Sequence, residues 1–145
     1  MQIKPILIIT SLVLAIASCV SIKSNHASTD NDQLYNATWE LEYISGPRIA
    51  FAGLYPDKKP QITFNQETHK VEGTNSCNGY SADYTIKKDA ISFGEPGPTT
   101  MMYCGEGENV FLNMMKKINK FKIDAEGKLN LMLDEVEMMR FHKSD

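Results

Sequence analysis

Apolar and polar residues alternate along most of the chain after residue 37, with a period of two. In TWELEYI, residues 38–44, Trp39 and Leu41 alternate with Glu40 and Glu42. This alternation is typical of a strand that buries one of its faces. The same pattern, with turn residues between the segments, predicts further strands along the chain. They are PQITF (60–64), HKVEGT (69–74), SADYTIK (81–87), DAISFG (89–94), FKI (121–123), KLNLML (128–133) and VEMMRFH (136–142).

One segment late in the chain changes to a helical period. Its apolar residues recur three and four positions apart, which predicts an amphipathic helix. The stripe consists of Val110, Phe111, Met114, Met115 and Ile118. Together these elements predict an α+β fold, in which a compact, curled antiparallel β-sheet of about eight strands, similar to an open barrel, packs with one main helix.

The inward-facing positions of these elements are predicted to form one core. Trp39 is the sharpest case, since it should be largely buried with its indole N–H hydrogen-bonded. The other predicted core residues are Leu41, Ile62, Phe64, Val71, Tyr84, Ile91, Phe93, Phe111, Met115, Leu129, Leu131 and Phe141. A long Gly- and Pro-containing segment at 44–59 follows the first strand, and its apolar residues are expected to pack back on the domain. These are Ile49, Phe51, Leu54 and Tyr55.

The beginning of the chain resembles the export signal of a bacterial lipoprotein. Lys4 precedes an apolar run at 6–18 that is too short to span a bilayer as a stable helix. The run ends in Ile16-Ala17-Ser18-Cys19, which is similar to the lipobox, where the cysteine is acylated and becomes the first residue of the mature chain. We predict a lipoprotein signal peptide at 1–18 and attachment to the membrane through a lipid on Cys19. The alternative is an ordinary signal peptide with a chance cysteine.

The next segment, residues 19–33, is polar and has no period, which predicts a flexible tether before a single domain at 34–145. Val20 is not acidic, and this weakly favours sorting to the outer membrane of the cell envelope. The net charge of −3 and the lack of a basic cluster argue against a nucleic-acid partner. We expect a monomer.

The two remaining cysteines, Cys77 and Cys104, are predicted to form a disulfide, because thiols outside the cytoplasm usually pair. Two packed free thiols and a reactive thiol are the alternatives. A reactive thiol needs a nearby base, and no histidine has a motif spacing to either cysteine. Asn78-Gly79 is interpreted as a turn in which both residues tolerate positive φ. The alternative is a ligand-binding motif of Asn78, Gly79 and Tyr80.

No grouping of residues indicates a metal, a cofactor or a catalytic centre. The acidic residues are scattered, and we interpret them as turn and surface positions. Methionine is abundant, and thioethers bind Cu(I). Since the methionines form no Met-x-x-Met cluster and have no nearby histidine, we interpret them as core filling. They are Met101, Met102, Met114, Met115, Met132, Met138 and Met139.

With these elements placed, the order of landmarks resembles the META domain, the family of the HslJ heat-shock protein. The most specific parts are the Cys77-Asn78 pair and the run Thr100-Met101-Met102-Tyr103-Cys104. The landmarks that complete the resemblance are Trp39-x-Leu41, Pro60-x-Ile62-x-Phe64, Val71-x-Gly73, Tyr80, Tyr84, a helix beginning near Glu106, and Leu129-x-Leu131. The resemblance implies an antiparallel β-fold with helical cover, in an exported domain or envelope lipoprotein linked in some relatives to stress. It implies no known catalytic residue.

Two classes of function follow. The first is a non-enzymatic envelope module that binds a protein, peptide or lipid partner. The second is a thiol-dependent enzyme or redox protein that uses Cys77 or Cys104. The absence of a nucleophile–base pair in the sequence favours the first class.

Overall fold

The computed structural model describes residues 26–35 and 37–144. The predictions for the signal peptide at 1–18 and for Cys19 lie outside these residues. The elements are α1 (His26–Tyr35), β1 (Thr38–Ile44), α2 (Phe51–Leu54), β2 (Gln61–Asn65), β3 (Lys70–Thr74), β4 (Gly79–Lys87), β5 (Ala90–Phe93), α3 (Glu106–Met115), β6 (Lys120–Ile123), β7 (Leu129–Leu133) and β8 (Val136–Ser144).

The eight strands form one antiparallel sheet in chain order, and β8 returns to pair with β1, so that the sheet closes into a barrel. This confirms the predicted curled sheet and the α+β class. β5 and β6 share the shortest pairing of the sheet, in which Ala90 opposite Lys120 is the one register pair. Two backbone hydrogen bonds support it, from Ile91 N–H to Asn119 O (3.1 Å) and from Phe121 N–H to Asp89 O (2.9 Å).

The barrel interior is filled by the alternating apolar residues of the strands. All predicted core residues are buried except Phe93, which is half-buried. Trp39 is fully buried, and its indole N–H donates to the Leu34 carbonyl oxygen at 3.0 Å, as predicted. The period of two therefore identified the buried face correctly, because each strand of a small closed barrel has one inner and one outer face.

The predicted flexible tether at 19–33 is wrong for residues 26–33, which belong to α1. A tertiary contact accounts for the difference, since Leu34 near the end of α1 is fully buried against the core. α1 contacts β2 and β6. Leu34 meets Trp39 at one end of the barrel. β2 finishes at the same end, where the Tyr84 hydroxyl donates to Asn65 O. We call this the α1 end of the barrel.

Two helices cover the opposite end. The Tyr55 hydroxyl after α2 donates to Gly107 O in α3 at 3.0 Å, and a side chain on Gly107 would overlap the Leu54 carbonyl oxygen. Phe111 of α3 packs edge-on against Tyr80 at 5.4 Å between ring centroids. The prediction that the segment 44–59 packs back is confirmed for Leu54 and Tyr55, which are buried, and for Phe51, which is half-buried against the core. It is wrong for Ile49, which is 48% exposed.

Candidate functional site

A disulfide joins Cys77 to Cys104 at the end of the barrel covered by α2 and α3, with 5.7 Å between the Cα atoms. The predicted pairing is confirmed. Cys77 follows β3 in the turn at 75–78, and Cys104 ends the loop before α3. The disulfide sulfurs carry no proton, so neither residue is a nucleophilic thiol in this form.

The loop that carries Cys104 reaches this turn because it continues β5 alongside β4. Gly94 N–H donates to Asp83 O and Gly97 N–H donates to Ser81 O, each at 2.8 Å. The Thr99 hydroxyl then donates to Gly79 O at 2.8 Å. Gly79 permits this approach, since a Cβ there would lie only 3.1 Å from the Thr99 hydroxyl oxygen. Residues 99–104 therefore lie directly over the β3–β4 turn.

The Asn78 side chain binds this loop through hydrogen bonds. It is almost fully buried, and its Nδ2 donates to the Met102 carbonyl oxygen at 2.8 Å. Its Oδ1 accepts from Met102 N–H and from the Thr100 hydroxyl, each at 3.0 Å. Both backbone groups of Met102 are thus bound by one amide. We call this amide together with the disulfide the clamp.

The predicted role of Asn78-Gly79 as a positive-φ turn is wrong in its detail. The turn lies at 75–78, and Ser76 is the residue of that turn with a positive φ, at 144°. Asn78 is required for its amide, which both donates and accepts, and not for its backbone freedom. The alternative of an Asn78 ligand amide has less support, because the described hydrogen bonds already occupy both of its polar atoms.

Two polar residues that the sequence analysis did not single out complete the clamp. Glu108 in the first turn of α3 accepts from Asn78 Nδ2 (3.0 and 3.1 Å) and from Asn75 Nδ2 (2.8 Å). A carboxylate suits this position, because the N-terminus of a helix is electropositive. No local sequence signal marks these residues, since their partners lie about thirty positions away in the chain. The clamp therefore ties the turn, the loop and α3 together.

Tyr80 is the third member of the sequence motif, and it faces the core. Its ring is buried, and burial raises the pKa of its hydroxyl above the usual value. The hydroxyl oxygen has no hydrogen-bond partner among the described residues. Its packing against Phe111 makes Tyr80 a support for α3 and not a surface contact.

Above the clamp, three consecutive large side chains point into solvent. Met101 is 96% exposed, Met102 is 60% exposed and Tyr103 is 90% exposed. We call these three residues the tip. The interpretation of the methionines as core filling is wrong for Met101 and Met102. It holds for Met114, Met115 and Met139 in the core and for Met138, which is half-buried against it, and Met132 is also buried. Exposed apolar side chains on a tightly held backbone are uncommon and often mark an interaction site.

A groove of about 560 Å³ lies beside the tip. Its lining combines the disulfide with apolar and charged groups and consists of Pro56, Asp57, Lys58, Ser76, Cys77, Met102, Tyr103, Cys104 and Gly105. A second groove of about 400 Å³ shares Asp57 and Lys58 with the first and extends to Glu40 and Gln61. The Ser76 hydroxyl fixes the wall between them by donating to Lys58 O at 3.1 Å. The tip thus stands beside a surface of mixed charge.

A separate charged cluster lies on the outer face where β1 meets β8 and β7. Burial raises the pKa of Glu42, but hydrogen bonds from Lys128 (2.8 Å) and Arg140 (2.6 Å) outweigh it and hold that pKa below its usual value. A hydrogen bond from Lys59 at 2.9 Å lowers the pKa of Glu40 in the same way. The Glu42 pairs reach across the seam between β1 and β8, and the Lys59–Glu40 pair joins β1 to the segment before β2, so the role of the cluster is structural.

The described histidine side chains lie away from the disulfide. His69 packs near the Tyr84 ring toward the α1 end, and His142 Nδ1 lies 3.5 Å from Glu42 on the outer face. Within residues 31–35 and 37–144, whose side chains the structure describes, no three His, Cys, Asp or Glu side chains come together as a metal site requires. Over the same part of the chain, no helix has the length and apolar character needed to cross a membrane.

Removal of the disulfide is expected to lower stability without removing the fold. The cysteines are 27 positions apart, and the chain-entropy relation for such a loop gives about 3.5 kcal/mol. The double variant Cys77→Ala/Cys104→Ala should therefore unfold at a lower urea concentration than the oxidised wild type. Its fold should persist because the hydrogen bonds of Asn78 remain. Equal midpoints for the two proteins would contradict a stabilising disulfide.

The fold and the clamp define a small β-barrel domain with a disulfide-held loop of exposed apolar residues. The chain belongs to the META domain family, whose model matches residues 32–145. A protein from Burkholderia xenovorans with a structure solved by NMR is similar to it, with a TM-score of 0.61 and 23% sequence identity over 94% of this chain and 99% of that chain. At this identity the likeness shows the fold alone. No curated protein matches the chain.

Proposed function

We propose that this protein is a non-enzymatic lipoprotein of the bacterial cell envelope, whose META domain binds a protein partner through the tip. The observation that carries the proposal is the exposure of Met101, Met102 and Tyr103 on a backbone that the clamp holds in place. Tyr and Met are enriched at protein–protein interfaces. A held loop also loses little conformational entropy when a partner binds.

The geometry of the barrel favours a protein partner over the lipid surface. β3 runs from the β2–β3 turn, at the α1 end, to the β3–β4 turn, where the clamp lies. The chain passes from α1 into β1 at the α1 end. A lipid on Cys19 would therefore hold the domain to the membrane by the end opposite to the tip. The tip then faces away from that membrane, toward other proteins of the envelope.

The sequence Ile16-Ala17-Ser18-Cys19 supports the membrane anchor. Cells that are given radiolabelled palmitate should produce labelled wild-type protein that partitions into detergent. Cys19→Ala should remain an unlabelled precursor. The matched control is Cys77→Ala/Cys104→Ala, which keeps Cys19 and should keep its label. Label in the Cys19→Ala protein, or processed wild-type protein entirely in the aqueous phase, would contradict the anchor. With Val20 after Cys19, we propose sorting to the outer membrane, which separation of the two membranes by density tests.

The tip is tested by placing a photoreactive amino acid at Tyr103 in the native envelope. A matched control carries the same amino acid at Val136, which is 60% exposed at the start of β8, four strands around the closed sheet from β4. We expect a cross-linked protein that is specific to position 103 and is lost in the variant Met101→Ser/Met102→Ser. Identical products from positions 103 and 136, or products that survive the serine substitutions, would contradict a binding role for the tip.

The second class of function, a thiol-dependent enzyme or redox protein, is supported by the exposure of Cys77 beside the groove. It requires the disulfide to open during function. Thiol titration of the exported protein under denaturing conditions distinguishes the two classes. The binding module is expected to have no free thiol, whereas a stable fraction of free Cys77 and Cys104 would favour the enzyme.

A further inference from the structure

The methionines of the domain differ in exposure, with two groups at the extremes and Met138, which is half-buried against the core, between them. Met114, Met115, Met132 and Met139 are buried, each 7% exposed or less. Met101 and Met102, at 96% and 60% exposed, are neighbours in the tip. The thioethers of one small domain therefore differ widely in their access to dissolved oxidants.

Access decides the chemistry of a thioether. A peroxide transfers one oxygen atom to the methionine sulfur, the O–O bond breaks, and methionine sulfoxide and water (or the corresponding alcohol) are released. An exposed methionine reacts in the native state. A buried methionine reacts only after local or global opening of the fold, which is rare in a stable domain. The oxidant has ready access to the tip and little access to the core.

We propose that Met101 and Met102 are a selective oxidation site, at which peroxide converts the tip from an apolar into a polar surface and weakens partner binding. This inference rests on the proposed binding function and names a regulation of the same site. Methionine sulfoxide is polar and chiral, so it disrupts apolar contacts that a thioether makes. The reaction is reversible, because sulfoxide reductases restore both epimers.

Because the clamp binds the backbone of the tip, oxidation of the methionine side chains should change the surface without unfolding the domain. The tip is held through the backbone of Met102, by hydrogen bonds of 2.8 and 3.0 Å to Asn78. Neither the clamp nor the barrel core depends on the Met101 or Met102 side chain. The oxidised protein should therefore keep the melting temperature of the reduced protein to within a few degrees.

The selectivity is tested by treating the folded, full-length protein with increasing hydrogen peroxide and assigning each added oxygen to a methionine by fragment sequencing in a mass spectrometer. Met101 and Met102 should react roughly tenfold or more faster than Met114, Met115, Met132 and Met139. In urea, where every methionine is exposed, the difference should disappear. Equal rates in the folded protein, or a large fall in melting temperature after oxidation of the tip alone, would overturn the proposal.

The regulation is tested with the photoreactive amino acid at Tyr103. Peroxide should reduce the yield of the specific product several-fold, and treatment with both sulfoxide reductases should restore it. In the variant Met101→Leu/Met102→Leu, whatever its starting yield, peroxide should cause no change. Selective oxidation with an unchanged wild-type yield would overturn the regulation and leave the binding function standing. If even the reduced protein gives no specific product, the proposed binding function is wrong, and the regulation is wrong with it. The mass-spectrometric assignment of oxidised methionines still tests the selectivity of oxidation.

Discussion

Trp39→Ala is expected to lower the free energy of unfolding by about 3–5 kcal/mol, the range for removing a large aromatic side chain from a packed core. Trp39 is fully buried, and it is a contact through which α1 is joined to the barrel, since its indole N–H donates to Leu34 O at 3.0 Å. The variant loses that bond and leaves a cavity between β1, β2 and α1. In a domain of ordinary stability, such a loss removes much or all of the folded population.

The matched control is Trp39→Phe, which keeps an aromatic ring but cannot donate to Leu34 O. Its expected loss is smaller, roughly 1–3 kcal/mol from the unpaired carbonyl and the smaller ring. Urea unfolding followed by circular dichroism compares the three proteins, because Trp39 is the sole tryptophan and its fluorescence is lost in both variants. A midpoint for Trp39→Ala equal to that of the wild type would contradict its role in the core.

The strands and the main helix could be predicted from the sequence because their signals are local. A strand in a small closed barrel buries one face, so the buried residues recur with a period of two, as Trp39 and Leu41 do in β1 and Ile62 and Phe64 do in β2. α3 buries one stripe and shows a period near 3.6. These patterns depend on residues a few positions apart and need no knowledge of distant partners.

α1 could not be predicted in this way. Its segment is polar, and the residues that pack against the core, Leu34 and Tyr35, are adjacent at its end. Two adjacent residues leave no periodic signal in such a segment. A tether and a short polar helix therefore have the same appearance in the sequence, and only the packing distinguishes them.

Of the two parts of the clamp, the sequence predicted the disulfide but not the Asn78 amide. Cys77 and Cys104 could be paired because the predicted export signal and the number of cysteines leave few alternatives. The Asn78 amide could not be connected to Met102 or Glu108, because Asn next to Gly is also a common turn pair. The exposure of Met101 and Met102 was missed for a related reason. Their apolar character predicts burial, and it is the long-range hold on the Met102 backbone that keeps them outside.

Asn78→Asp is expected to be the most damaging single substitution in the clamp, at about 3–5 kcal/mol, the range for a buried charge without a compensating partner. The new carboxylate can still accept from Met102 N–H and the Thr100 hydroxyl. It cannot donate to Met102 O, and it would face the Glu108 carboxylate, whose oxygens lie 3.0 and 3.1 Å from Asn78 Nδ2. Two carboxylates at that distance repel, so the folded state raises the pKa of the pair above its unfolded value.

The sign of the pH dependence follows from that raised pKa. The folded variant binds a proton that the unfolded chain releases near pH 4, so it is relatively more stable in acid and loses that stability as the pH rises through the pKa of the pair. The deficit of Asn78→Asp relative to wild type should therefore be largest at neutral pH and smaller near pH 5. Asn78→Ala lacks the repulsion and should show a smaller deficit, roughly 2–3 kcal/mol, without this pH dependence.

A second substitution decides whether repulsion from Glu108 is the cause. Glu108→Gln removes the negative charge and supplies an amide that can donate to a carboxylate at position 78, so it should restore much of the stability lost in Asn78→Asp. Alone, Glu108→Gln should have a small effect, because its amide oxygen still accepts from Asn75 or Asn78. The photo-cross-link from Tyr103 should follow the same order, falling in Asn78→Asp and recovering in the double variant, because the tip is positioned through Asn78. An additive loss in the double variant would show that Asn78 and Glu108 act independently, and repulsion from Glu108 would then not be the cause of the loss in Asn78→Asp.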